Sequence, residues 1–281
     1  MKKIDLSKAT FIIPLKIDSD DRVRNIITIL CFILKKFKTN VILKEVDGRK
    51  IFQDYALPQI KEFVGNDIKQ LTYIFEQSED PVFYRMKILN EMINDSNTEV
   101  VINYDCDVLM KPEAYKKCYD LILNKTYDMI YPYGFGPYQK QIYADDDMVS
   151  NFLNENFDFS ILEKKSNIYD AQYGHVQFFD RETYINGGME NENFRGSSPE
   201  DKERYFRFTT LGYNVGRIDN YVYHLEHSRG PNSWPVSYQK NPYMKKNLDL
   251  WENLQKLNKN ELIDYYKSQM YLKKYSCHYT K

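Results

Sequence analysis

Two aspartates separated by one residue, Asp105 and Asp107, follow the apolar run Val100-Val101-Ile102-Asn103-Tyr104. Carboxylates at i and i+2, where a chain leaves a strand, can both turn toward one cation. Their hard oxygens suit Mg²⁺ or Mn²⁺, and a cation so held can bridge two phosphates. A lone Asp-x-Asp is also a common acidic turn, so the pair needs support from elsewhere. His224-Leu225-Glu226-His227 offers it, because two of the chain's 4 histidines fall three residues apart. On a turn leaving a strand both imidazoles can reach one ion, and imidazole with carboxylate favours Mn²⁺ over Mg²⁺. Alone, the acidic pair reads more readily as an ordinary turn and the histidine pair as two surface histidines; together they supply three or four ligands for one cation. A third group is Gly196-Ser197-Ser198-Pro199-Glu200-Asp201. Pro199 at a helix start puts Glu200 and Asp201 in the first turn. There they either compensate the helix dipole, worth about 0.3–1 kcal/mol, or present a general base to a hydroxyl. Residue types alone do not choose between these.

The elements that must position these groups alternate in the first half of the chain. Phe11-Ile12-Ile13-Pro14 reads as a strand stopped by proline. Asp20 or Asp21 can cap a helix running to about Lys38, with Val23, Ile26, Ile27, Leu30, Ile33 and Leu34 at helical spacing. Strands are expected at 41–43, 71–75 and 100–104. Helices are expected at 83–93 and, opened by Pro112, to about Leu123. The prediction is an α/β fold with a mostly parallel central sheet flanked by helices. In such sheets ligands bind beyond the carboxyl ends of the strands, where Asp105 and Asp107 fall. Residues 138–169 read as a loop-rich insertion with one helix. Strands follow at 176–179, 215–218 and 222–225, with a helix at 199–211. After Pro242 a helix is expected with Leu248, Trp251, Leu254 and Leu257 as its stripe.

Composition narrows the function classes. The chain of 281 residues carries 39 Lys+Arg against 40 Asp+Glu, which gives no electrostatic reason to expect a nucleic-acid partner. Aromatics reach 15%, with 25 Tyr; tyrosine rings stack on sugars and nucleobases, although biased codon usage would produce the same richness. Cys31, Cys106, Cys118 and Cys277 lack the spacing of a disulfide framework, so reduced thiols and a cytoplasmic location are expected. No signal peptide is recognisable. The apolar stretch from Ile26 to Leu34 is too short to span a bilayer, leaving at most a peripheral contact at the inner membrane surface.

Four segments, in order, resemble the GT-A nucleotide-sugar glycosyltransferases. The nearest likeness is to the beta-1,4-galactosyltransferase group and its relatives among polypeptide N-acetylgalactosaminyltransferases and chondroitin synthases. Phe83-Tyr84-Arg85-Met86-Lys87-Ile88-Leu89-Asn90 is similar to the family's Phe-Asn-Arg-Ala-Lys-Leu-Leu-Asn, and Asp105-Cys106-Asp107 to its Asp-Val-Asp. Asn186-Gly187-Gly188, then Phe194 to Asp201, are similar to its Asn-Gly and Phe-Trp-Gly-Trp-Gly-Gly-Glu-Asp. His224 to Arg229 is similar to its Met-Ile-Arg-His-Ser-Arg. The likeness spans roughly residues 10–232, and the ordered set is far more specific than any one piece.

The resemblance implies a GT-A catalytic domain over 1–235, with a nucleotide-binding half to about 135 and an acceptor-side half after it, and a helical extension over 236–281. It implies Asp107, His224 and His227 as ligands of Mn²⁺ or Mg²⁺. Pro14, Phe83, Arg85, Asp105 and Gly188 would contact the nucleotide-sugar. Glu200 would hold sugar hydroxyls, and Asp201 would be the base of an inverting transfer. The implied donor is a UDP-sugar, galactose-type favoured, and the implied acceptor a glycan or lipid-linked saccharide. Arg195 and Ser197 stand where the family has tryptophans, and Ser198 and Pro199 where it has glycines, so a different acceptor and a stiffer lid are expected. A retaining transferase would share the donor site. A haloacid-dehalogenase-like phosphatase also has Asp-x-Asp after a strand, but Leu109 stands where Thr or Val is typical, and the pair lies far from the N-terminus. A sugar-binding module without catalysis fits poorly with an intact acidic set.

Overall fold

The computed structural model describes residues 2–66 and 68–275. In chain order its elements are β1 (Ile4–Leu15), α1 (Asp20–Lys36), β2 (Phe37–Asp47), a π-helical turn (Phe52–Ala56) running into α2 (Leu57–Val64), β3 (Leu71–Gln77), α3 (Arg85–Asp95), β4 (Val100–Tyr104), β5 (Val108–Leu109) and α4 (Pro112–Leu123). Then come β6 (Met129–Tyr131), β7 (Gly136–Ile142), α5 (Asp146–Asn154), α6 (Phe159–Glu163), β8 (Ser166–Ala171), β9 (Val176–Asp180), α7 (Arg181–Asn186) and α8 (Glu200–Leu211). The described chain ends with β10 (Val215–Arg217), β11 (Val222–Leu225), α9 (Val236–Lys240), α10 (Met244–Leu254), α11 (Lys259–Lys267) and α12 (Met270–Lys274).

Seven strands form the central sheet in the order β10-β6-β9-β4-β1-β2-β3. All its pairings are parallel except those of β9, which runs antiparallel to both β4 and β6. All five residues of β4, and the last seven of β1, are buried. Central strands covered on both faces read as continuous apolar runs rather than alternating ones, which is why they were legible. The fold class expected from the sequence is the one observed.

Several expectations need correction. Ser19, not Asp20 or Asp21, caps α1, its side chain accepting from the Arg22 N–H. Asp21 instead accepts from the N–H of Ser228 at 2.9 Å and from its hydroxyl at 2.7 Å, tying the segment after β11 to α1. The helix stops at Lys36 and β2 starts at the next residue, while α3 starts at Arg85, leaving Phe83 ahead of it. The predicted loop-rich insertion at 138–169 holds two helices and parts of two strands. These strands join a four-stranded sheet in the order β5-β11-β7-β8. Their sequences, GPYQKQI and SNIYDA, lack apolar alternation; they become strands because β11 offers β7 a ladder to complete, a tertiary effect that overrides propensity. The π-turn and α2 were not anticipated. The single helix expected after Pro242 is three, divided where Asn258 starts α11 through a reciprocal capping box with Glu261.

Of those C-terminal helices, α10 and α11 pack on α8. The Tyr266 hydroxyl donates to Glu203 at 2.6 Å, Glu203 pairs with Arg207 at 2.9 Å, and the Arg207 guanidinium lies 4.5 Å from the Tyr266 ring centre. Gly188, at φ +93°, sits beneath the same ring: a Cβ there would lie 2.5 Å from a Tyr266 carbon. Left-handed backbone and a steric clash act together at this position. Gly188→Ala should therefore cost roughly 2–3 kcal/mol, read as a lowered midpoint in urea with an unchanged slope; an unchanged midpoint would contradict it. Cys31, Cys106 and Cys118 are buried free thiols, and Cys277 lies outside the described residues. No described helix is long and apolar enough to cross a membrane.

Candidate active site

A cavity of about 210 Å³ opens at the carboxyl ends of β1 and β4. Pro14, Lys16 and Asp18 line it from the segment leaving β1; Phe83 and Arg85 line it from the start of α3. Asp105, Cys106 and Asp107 form its floor, and Ser197, Glu200 and Asp201 the opposite wall. Asn232 closes it, accepting from the Phe83 N–H at 3.0 Å and donating to the Pro81 carbonyl at 2.9 Å.

The Asp107 carboxylate meets both histidines. His227 Nε2 lies 3.2 Å from Oδ2 and His224 Nε2 3.7 Å from Oδ1, and one ligand atom from each of the three residues falls within 4.8 Å of the others. Backbone pairing makes the meeting possible: His224 pairs with Val108 across β11 and β5, and the Leu225 N–H donates to the Asp107 carbonyl at 2.8 Å. The outer nitrogens are also spoken for. His224 Nδ1 lies 2.8 Å from Glu226 Oε1 and His227 Nδ1 2.8 Å from the Ser228 carbonyl. The contacts at Nδ1 fix each ring so that Nε2 faces Asp107, the orientation seen in histidines that bind metal. The donor set fits Mn²⁺ or Mg²⁺, with imidazole tilting it toward Mn²⁺. Burial opposes ionisation of Asp107, but His224, His227 and Arg22 outweigh it and hold the carboxyl well below the usual range. Burial also pushes the Cys106 thiol up to about 12, so it stays protonated between the two aspartates.

Asp105 faces the other way. Its carboxylate accepts from Arg85 at 2.7 Å, and its N–H donates to the His175 carbonyl at 3.0 Å. Asp201 accepts from Arg204 at 2.7 Å and lies 3.9 Å from Arg85. Glu200 is 5% exposed, and its Oε2 has no hydrogen-bond partner among the described residues. Burial, then the neighbouring Asp201 charge, raises its pKa to about 8. A protonated Glu200 can donate to a sugar oxygen, which suits a side chain aimed at a hydroxylated ligand. In the unfolded chain the group ionises near its usual 4.5, so folding takes up a proton between that pH and about 8. Stability must then fall as pH rises through this window. Glu200→Gln removes that dependence and should melt a few degrees above wild type at pH 8, for a gain on the order of 1 kcal/mol. Equal melting curves at pH 8 would show that Glu200 is not held protonated.

The sequence-predicted residues thus divide. Pro14, Phe83, Arg85, Asp105, Glu200 and Asp201 meet around the cavity, and Asp107 joins its floor to His224 and His227. Gly188 does not reach the cavity; it packs under Tyr266. Sequence reasoning passed over three side chains. Arg22 reaches from α1 to Asp18 at 2.9 Å, Ser233 at 2.8 Å and Asp107 at 3.5 Å; its place four residues after Asp18 was the one local signal. His175, at φ +67°, stands with its ring 5.7 Å from that of His224. Burial and His224 depress its pKa to about 4, and Nε2 meets Gln139 at 2.9 Å. Arg204 had no signal beyond charge in a helix.

No protein-family model matches the chain, and no curated protein is matched by sequence. Among solved structures the chain is similar to the mannosyltransferase PcManGT of Pyrobaculum calidifontis, determined in complex with GDP-Man and Mn²⁺. The identity is 13% and the TM-score 0.57, over 94% of this chain and 69% of that one. At that identity the likeness is one of fold, and it does not reach the galactosyltransferase-like subgroup. The chain therefore shares the α/β fold of that mannosyltransferase, with a candidate metal-ligand set and a row of acids meeting where its parallel strands end.

Proposed function

We propose that this chain is an inverting, metal-assisted hexosyltransferase that moves a hexose or N-acetylhexosamine from a nucleotide-sugar to a saccharide acceptor. The observation that carries the reading is that the cavity holding Glu200 and Asp201 is also lined by Asp107, the carboxylate that meets His224 and His227. Asp107, His224 and His227 would hold the cation; when bound it would neutralise charge on the departing diphosphate. Arg85, fixed by Asp105, and Phe83 would flank the nucleotide, with Pro14 and Lys16 on its other side. Asp201 would take the proton of the acceptor hydroxyl as that oxygen attacks the anomeric carbon, through an oxocarbenium-like transition state. Glu200 would donate to a sugar oxygen and orient the ring. Residues 1–235 form the catalytic unit in this reading, and the helices after 236 buttress α8.

The resemblance of the four sequence segments favours a UDP-sugar of galactose type. The mannosyltransferase fold match makes GDP-mannose the second donor to test. The deciding experiment is a hydrolysis screen of UDP- and GDP-sugars with and without Mn²⁺. Metal-dependent release of nucleotide from one donor is expected, and inertness toward all of them would end the reading. Product anomeric configuration by NMR separates inversion from retention.

A further inference from the structure

Beneath the cavity floor the polar side chains close into a ring. Arg85 donates to Asn103 Oδ1 at 3.3 Å, and Asn103 Nδ2 donates to Gln177 Oε1 at 3.0 Å. Arg204 Nη1 donates to the same Gln177 oxygen at 3.4 Å and to Asp201 Oδ1 at 2.7 Å. Asp201 Oδ1 returns to Arg85 at 3.9 Å, and Arg85 carries Asp105 at 2.7 Å. Asn103, Gln177 and Arg204 are fully buried. Asn103 and Gln177 are also direct cross-strand partners on β4 and β9, so the base of the ring is set by sheet register.

The ring is anchored outside as well. Arg204 makes a two-pronged pair with Glu190, Nε to Oε1 at 2.7 Å and Nη2 to Oε2 at 2.8 Å. The Gln177 amide donates to the carbonyls of Tyr173 and Gly174 at 2.9 and 2.7 Å. A planar guanidinium gripped by Glu190 through Nε and Nη2 has the direction of its Nη1 N–H groups fixed; one meets Gln177 and the other holds Asp201. Taking an Arg–Glu pair out of water offers little net stability compared with an apolar pair of the same volume. Its geometry is what distinguishes it here.

We infer that Arg204 and Gln177 are positioning residues. They hold the Asp201 carboxylate at a set distance from Arg85 and Asp105, and so fix the separation between the acceptor-activating and donor-binding sides of the reaction. Neither touches the cavity; both act through Asp201 and Arg85. The inference rests on the transferase reading for its consequence, and on the hydrogen bonds alone for its geometry.

The test uses the full chain with Arg204→Lys, which keeps the buried charge but not the fork, and Gln177→Leu, which keeps both charges and nearly the same volume. Measured together are turnover of the nucleotide-sugar with Mn²⁺, donor affinity by calorimetry, melting temperature, and a crystal structure of each variant. A misplacement of about 1 Å at a reacting group can cost on the order of 100-fold. The expected result is a kcat lowered roughly 10- to 100-fold, with donor affinity kept within about twofold and the Asp201 carboxylate moved away from Arg85. A merely structural role would lower the melting temperature and leave kcat per folded molecule and the carboxylate in place; that outcome overturns the inference. If Arg204→Lys does not fold, Gln177→Leu decides by the same criteria. If the wild type turns over no nucleotide-sugar, the transferase reading fails, and the carboxylate position in the two crystal structures still decides the positioning.

Discussion

Asp201→Asn should abolish sugar transfer while leaving the donor bound. The amide is nearly isosteric and can still accept from Arg204, so the ion pair becomes a hydrogen bond from the guanidinium cation to an uncharged amide oxygen, without a cavity. What it cannot do is take a proton from an attacking hydroxyl. Loss of a general base typically costs about 10²–10⁴-fold, and the loss should fall on kcat, because in the proposed reading the donor is held on the Asp105 and Asp107 side. Turnover with a saccharide acceptor and calorimetric donor titration, run in parallel, make the measurement. Retained turnover would remove Asp201 from the chemistry and move attention to a retaining mechanism, which needs no base. Loss of donor binding together with turnover would mean that Asp201 serves the donor site through Arg85, 3.9 Å away.

His227→Ala should weaken cation and donor binding together. His227 is 8% exposed, and its Nε2 is 3.2 Å from Asp107, so the substitution removes one of three candidate ligands and leaves Asp107 with fewer partners. Loss of a supporting contact alone lowers metal affinity about 10- to 100-fold; loss of a ligand should exceed that. Manganese titration by calorimetry or electron paramagnetic resonance reads the first effect, and donor titration at saturating and limiting Mn²⁺ reads the second. Donor affinity restored by excess Mn²⁺ is expected, since the remaining pair of ligands can still be filled by mass action. Activity indifferent to chelator would defeat the metal-centred reading altogether.

Arg22 complicates that comparison in an informative way. Its guanidinium already lies 3.5 Å from Asp107 Oδ2 while tied to Asp18 and Ser233. A cation entering at Asp107 competes with this contact. A diphosphate arriving with the cation would offer Arg22 a new anion. In the proposed reading Arg22 would pair with Asp107 before the cation binds and with a phosphate afterwards.

The central sheet was readable because its core strands are buried on both faces, so β1 and β4 carry largely apolar runs that no other element explains as well. Helix α1 was readable from its 3.6-residue period, and α4 from Pro112. The second sheet was not. β7 and β8 are polar, and they are strands only because β11 lies alongside. Of the two helices there, α5 and α6, the same reading expected one. The C-terminal helices were merged because a stripe of Leu and Trp does not show where Asn258 interrupts it.

For the site the division is sharper. The residues of the acidic pair and the histidine pair, and the acids after Pro199, stand out by type and spacing alone, and the sequence by itself determined which side chains were candidates and which cation they suit. Their grouping is a property of the tertiary structure. Asp107 and His227 are 120 positions apart and meet because β11 pairs with β5, immediately after the Asp-x-Asp turn. Gly188 shows the reverse: its sequence neighbourhood resembles a donor-binding segment, yet its left-handed backbone is occupied by the Tyr266 ring. Arg204 and Gln177 are invisible in sequence for the same physical reason. A hydrogen bond requires a partner at about 3 Å, and their distant partners, Asn103 of β4 for Gln177 and Glu190 of the loop before α8 for Arg204, come within reach only in the folded chain.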